Sequence, residues 1–238
     1  MSKKTMYLIL RLLIATLLLV VGLSLIFQDK LMNMAIDTMT ATSIENAAGS
    51  TYQESIENVK KQDNSITFNF EDVTDVTAQE IAKIKFQMKD KLPQSIGSIS
   101  IPSLQMELPI LYGVSNLNLA IGAGTMKDSI QMGKGNYSLA GHNTRNERTL
   151  FSPLVNATKG MDVYLTDFED VYHYKINTIY TVEPTQVDVI EQHGEQIELT
   201  LVTCNYLGKK RQITHAKFIR VLSANEFEKT NKDVFRKD

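Results

Sequence analysis

"IELTLVTC", residues 197–204, is the stretch from which the rest of the chain can be read. Alternation puts Ile197, Leu199, Leu201 and Thr203 on one side and Glu198, Thr200, Val202 and Cys204 on the other. A β-strand sends successive side chains to opposite faces, so the first set reads as core and the second as a mixed face. Cys204, at the strand end, then looks onto a groove rather than the interior. Working outward, "RQITHAKFIRVLS" (211–223) reads as the next strand, and a six-residue connection brings Arg211 back beside Cys204. Upstream lie "SIGSISIPSL", "MELPILYG", "NYSLAGH", "MDVYLTD" and "VYHYKINTIYTVEP", all between residues 95 and 184. They are rich in Ile, Val, Leu, Tyr and Thr, and Gly, Pro, Asn or Asp separate them. Short strands without long helices between them indicate a mainly β domain, an antiparallel sandwich or a closed barrel. "LFSPL" (150–154) and residues 117–121 read as single helical turns, and "GAG" (122–124) as a turn.

The amino-terminal part is different in kind. "MYLILRLLIATLLLVVGLSLIF", residues 6–27, is nearly continuous hydrocarbon. At about 1.5 Å per residue it reaches about 33 Å, against a bilayer core of about 30 Å. A cleaved signal peptide has a shorter apolar core and a small-residue cleavage site, so this reads as an uncleaved transmembrane anchor. Lys3, Lys4 and Arg11 lie on its amino side while Asp29 and Lys30 cancel on the other. Positive charge stays inside, so residues 1–5 are expected in the cytoplasm and residues 28–238 outside. Residues 28–65 are small and polar without a clear period and read as a stalk. "TAQEIAKIKFQMK" (77–89) opens with a capping-box pair, Thr77 and Glu80. Ile81, Ile84 and Met88 follow at helical spacing, which predicts a short amphipathic helix.

Charge excludes some classes. The 238 residues carry 25 basic and 27 acidic side chains, a net charge of −2, and show no basic patch, so nucleic acid is not an expected partner. The four histidines are scattered and there is one cysteine, so no metal cluster is expected. A single cysteine in an exported chain signals an intermolecular disulfide or a reactive thiol. The reactive species is the thiolate, which a neighbouring cation favours, and Arg211 is the cation at hand. A cysteine nucleophile also needs a proton-transfer partner. His173 in "VYHYK" reads as a strand-surface residue and His193 in "EQHGEQ" as part of a turn. His142 closes "NYSLAGH" at a strand end and His215 lies on the strand after Cys204, and pattern alone leaves both open.

"TLVTC" (200–204), a strand-end histidine in "LAGHN" (139–143) and an arginine soon after the cysteine together resemble the sortases. These are membrane-anchored cysteine transpeptidases of Gram-positive bacteria. The likeness covers about residues 65–222, and "IGAGTMKDSIQMGKGNYSLAGH" and "LFSPLVNATKGMDVYLTD" look like class A members. The resemblance implies a closed, mixed β-barrel of about eight strands with short helices, formed by residues 66–238. It matches Cys204 to the nucleophile, His142 to the general acid/base and Arg211 to the residue that holds substrate and stabilises the oxyanion. It matches Thr203 and Ala140 to the substrate groove. It implies cleavage of an LPxTG-like sorting signal between Thr and Gly through a Cys thioester. The surface protein then passes to an amine of lipid II or peptidoglycan, with no cofactor.

Some class A members bind calcium through acids in loops beside the groove. Here "GTMKDS" (124–129) carries Lys127 where an acid would be expected, so no metal requirement is expected. "NEFEKTNKDVFRKD" (225–238) is too polar to span a membrane, unlike the second anchor of the pilus-building class C. Two rival readings use the same residues differently: a cysteine hydrolase without transfer, and a non-catalytic surface β-domain with an incidental thiol.

Overall fold

The computed structural model describes residues 3–47, 50–62, 66–70, 81, 83–84, 92–129, 131–144, 148–192, 194–204, 210–230 and 234–235. Its eight strands are β1 Gly97–Ile101, β2 Met106–Leu111, β3 Ala123–Thr125, β4 Asn136–Gly141, β5 Asp162–Thr166, β6 Asp170–Val182, β7 Glu198–Cys204 and β8 Arg211–Ser223. They close into a barrel in the order β1-β2-β3-β4-β7-β8-β6-β5. Closure decides between sandwich and barrel: β1 pairs with β2 on one side and β5 on the other, so no edge is left open. The barrel is mixed, because β2 runs parallel to β3 and β4 runs parallel to β7.

Alternation fills the interior. Ile99, Ile110, Leu139, Leu165, Leu199 and Leu201 point inward and are fully buried, with Tyr137 and Tyr174 as the largest side chains there. Helices α1 Lys3–Glu45, α2 Tyr52–Gln62, α3 Asn116–Ile121 and α4 Ala224–Thr230 lie outside the barrel. The two single turns expected from sequence are α3 and a 3-10 helix at Ser152–Asn156.

β3 corrects the reading of 122–124 as a turn. It is short, two of the three residues read there are glycines, and it has no alternation to read. The glycines serve close approach: a Cβ at Gly122 would overlap the Pro109 carbonyl, and one at Gly124 the Gly113 carbonyl. The strand lies where another backbone leaves no room for a side chain, and that is a property of the partner chain segment.

α1 is one helix from the apolar stretch into the segment that follows. Lys4–Gln28 is long and apolar enough to cross a membrane, and none of its most apolar window is buried inside the protein. Further on, Ala35, Ile36, Met39, Thr40 and Ser43 are buried on one stripe. Thr40 Oγ1 donates to the Ile121 carbonyl and Ser43 Oγ to the Pro93 carbonyl, both at 2.7 Å. α2 sends Tyr52 into the core next to Tyr137, where burial pushes the Tyr52 phenol up to about 12. Ile81 is helical and buried, while Thr77, Glu80 and Met88 of the expected amphipathic helix lie outside the described residues.

Candidate active site

Three neighbouring strands, β4, β7 and β8, build the site on their outward faces. Registers align side chains in rows across them. Cys204 lies opposite Arg211. Two residues back along β7, Val202 sits between Ala140 and Ile213, and two further back Thr200 sits between Ser138 and His215. Rows on one face are about 7 Å apart. Gly141 is level with Thr203, so the next residue of β4, His142, comes level with Cys204. The end row is thus His142, Cys204 and Arg211, on three adjacent strands, followed by an apolar row and then a polar one.

The end row is held from several sides. Arg211 Nη1 lies 3.2 Å from Cys204 Sγ, so a thiolate there has a cationic partner. The Arg211 guanidinium also sits over the Phe70 ring, 5.2 Å from its centre. His142 is 4% exposed, and its carbonyl accepts the Phe151 N–H at 2.9 Å. Asn143 Nδ2 donates to the Cys204 carbonyl at 3.0 Å, tying the loop after His142 to the end of β7. The sequence reading did not single out Asn143; its signal is the residue type, a short amide directly after a strand-end histidine. Gln212 Nε2 reaches the Leu154 carbonyl at 2.7 Å, fastening the Ser152–Asn156 turn to β8.

Thr203 and Ala140 lie one layer down. Thr203 is buried and donates its hydroxyl to the Gly141 carbonyl at 2.7 Å, fixing β4 against β7 just below the end row. Ala140 is fully buried in a small apolar cluster with Val202, Ile213, Met126 and Val182. Above this cluster runs a cavity of about 330 Å³. Val202 and Ile213 form its floor, Arg211 stands at its end, Phe68 and Phe70 line one side and Val187, Val189 and Ile190 another. It is open, apolar and bounded by one cation, which suits an extended peptide with an apolar side chain.

The other histidines have local partners. His173 Nε2 is 2.8 Å from Asp162 Oδ1 and its ring stacks on Tyr164. His215 lies between Tyr180 and Thr200 on the polar row. His193 is outside the described residues. The loop around Lys127 has its own ties: Lys127 Nζ is 3.6 Å from Glu191 Oε2, and Asp128 accepts from the Tyr112 hydroxyl and pairs with Lys60 at 2.8 Å. Among the described residues no group of three or more His, Cys, Asp or Glu side chains is placed to hold a metal ion.

A sortase domain is matched over residues 99–219, about half the chain and all of the barrel but the start of β1 and the end of β8. The Listeria monocytogenes sortase A is 34% identical over 226 residues, which is 94% of this chain and 96% of the relative. The chain belongs to the class A sortases. The Streptococcus agalactiae sortase A is 38% identical over 212 residues, 87% of this sortase and 83% of that one. Among solved structures, the Listeria monocytogenes sortase A superposes with a TM-score of 0.56 at 34% identity, covering 60% of this chain and 99% of that one. The Streptococcus pneumoniae sortase C-3 superposes with a TM-score of 0.61 over 85% of this chain and all of that one. At 19% identity it speaks for the fold alone. The membership makes this chain a cysteine transpeptidase by family, and its one cysteine stands in the end row of the barrel.

Proposed function

We propose that this sortase cleaves an LPxTG-like sorting signal between Thr and Gly and passes the freed carboxyl side to an amine of a cell-wall precursor such as lipid II. The observation that carries the reading is the 3.2 Å contact between Arg211 Nη1 and Cys204 Sγ in a row that also brings His142 level. Acyl transfer needs a nucleophile, a proton donor for the leaving amine and positive charge at the oxyanion, and these three residues supply one each.

The steps follow from those roles. The Cys204 thiolate attacks the threonine carbonyl carbon, and the carbonyl oxygen takes up negative charge beside the Arg211 guanidinium. The tetrahedral adduct collapses, the C–N bond breaks, and His142 as imidazolium gives its proton to the departing glycine amine. A thioester on Cys204 remains. An incoming amine attacks it, loses a proton to the now neutral His142, and the C–S bond breaks to restore thiolate and imidazolium. Val202 and Ile213 receive the apolar residue of the signal. Ala140 keeps that floor low, and Thr203 acts from beneath by holding Gly141.

The proposed setting is the outer membrane face. Residues 1–5 are cytoplasmic, 6–27 span, 28–65 connect, and 66–238 form the catalytic domain outside, where secreted polypeptide and lipid-linked amine meet. The test uses the full chain in detergent micelles with a fluorescent LPxTG peptide, with and without an added amine, and product masses as the readout. Transfer to the amine is expected, with loss in Cys204→Ala and in His142→Ala. Free acid alone at saturating amine would make the protein a hydrolase, and turnover persisting in Cys204→Ala would sink the reading.

A further inference from the structure

The polar row beneath the groove, joined to Asn136 one row further along β4, forms a directed chain of hydrogen bonds that ends on the groove wall. Asn136 Nδ2 donates to two carbonyls, Ile190 at 3.1 Å and Glu191 at 3.0 Å. Both amide protons are then used, and Asn136 Oδ1 accepts the Thr200 hydroxyl at 2.7 Å. With its one proton committed, Thr200 Oγ1 must accept from His215 Nδ1, 3.0 Å away. In the neutral ring that leaves His215 Nε2 as the acceptor for the Tyr180 hydroxyl at 2.9 Å. Along this path each named hydrogen bond has one direction consistent with the others. Asn136 is 5% exposed and Thr200 fully buried, so breaking the path strands groups that water cannot reach.

The two carbonyls belong to the end of the 3-10 helix Val187–Ile190, whose Val187, Val189 and Ile190 line the cavity. That helix lies outside the strand ladders. Among the described residues its other ties are two turn bonds, Val187 N–H to the Thr185 carbonyl and Glu191 N–H to the Asp188 carbonyl, the packing of Val189 and Ile190 on the Ala140–Val202–Ile213 cluster, and the Lys127–Glu191 pair, a weak kind of contact. Among the described residues Asn136 supplies the buried hydrogen bonds between wall and barrel, and these give the apolar packing a fixed position.

We infer that Asn136, locked by Thr200 and His215, is a positioning residue that sets the width of the signal groove and so its selectivity for the apolar residue of the peptide. This rests on the proposed use of the groove for a sorting signal. Asn136 touches neither Cys204 nor the scissile bond, so its loss acts on binding and leaves the chemical step.

The experiment compares Asn136→Ala, Thr200→Val and Thr200→Ser with the unchanged full chain in micelles. Ser138→Ala, a buried neighbour in the same row, is the control. Hydrogen exchange of the amides at 187–192 reads the wall without any substrate. Steady-state transfer, with LPxTG and APxTG peptides and a fixed amine, reads the groove. Asn136→Ala is expected to speed exchange at 187–192 while β6 amides stay unchanged. It should also raise KM for LPxTG about tenfold with kcat held within about twofold, and narrow the preference over APxTG. Thr200→Val should share these effects and Thr200→Ser should restore them. Unchanged exchange at 187–192 overturns the inference whatever the peptides do. So does a fall in kcat that merely follows a lowered Tm. If the unchanged protein turns over no sorting peptide, the proposed substrate falls, and the exchange data still decide whether Asn136 holds the wall.

Discussion

Arg211 serves two partners at once, the Cys204 sulfur and the Phe70 ring, and its planar guanidinium is what lets it do so. Lysine keeps the charge and loses the fork. Arg211→Lys is expected to lower kcat about a hundredfold, the scale of one lost oxyanion donor, with Tm nearly unchanged; steady-state kinetics beside a melting curve check it. Asp162, away from the site, makes a pH prediction. Partial burial pushes its carboxyl up, but hydrogen bonds from Lys175 and His173 outweigh this and hold it below the ordinary carboxylate value. A carboxylate depressed on folding adds stability that is complete above its unfolded pKa, near 4, and is lost as pH falls through the folded value. Asp162→Asn should therefore lower Tm at pH 7 and leave it unchanged at the acid end. A uniform drop at all pH values would refute this. At this scale Cys204 stands out in the sequence as the one cysteine, and Arg211 as the arginine on the next strand, but four histidines compete and only the family resemblance favours His142. Asn143 does not stand out, since one amide in a loop looks like any other until the Cys204 carbonyl is found beside it.

β4 and β7 show what the pairing of elements adds. Alternation in "IELTLVTC" separates the two faces, and the faces came out as read: Leu199 and Leu201 inside, Val202 on the groove floor. Alternation says nothing about which strand lies alongside. The parallel pairing of β4 with β7 brings His142 level with Cys204 across about sixty residues of chain, and the Phe151 ring packs close over Gly141 at the end of β4. A Cβ at Gly141 would overlap that ring, so Gly141→Ala is expected to cost about 1–3 kcal/mol and to shift His142, lowering activity more than stability alone explains. Chemical denaturation together with transfer rates at a temperature where both proteins are folded would check it. β3 escaped the sequence reading for a related reason: Gly124 within it and Gly122 just before it are there for the neighbouring backbone and show no pattern of their own.

For the whole molecule, the apolar helix and the barrel are joined through packing as well as through the chain. Ile36 and Met39 are almost completely buried against the domain, beyond the end of the apolar stretch. Ile36→Ala should cost about 2–4 kcal/mol and lower the Tm of the barrel, although the residue belongs to the long helix that carries the apolar span. A Tm equal to that of the unchanged protein in micelles would show that the segment hangs free. The stripe was hard to read because Ala35, Thr40 and Ser43 are small or polar; such residues mark a face only once a partner covers them. Composition and period sufficed for the apolar span, the mainly β class and seven of the strands, because each depends on a residue's own solvation or on neighbours one or two places away, whereas pattern left His142 and His215 both open and the family resemblance favoured His142. Closure of the barrel, the short third strand, the groove with Phe70 over Arg211 and the bonds from Asn136 to its wall were decided by tertiary structure. Each depends on which distant segment comes alongside, and local alternation and solvation carry no record of that.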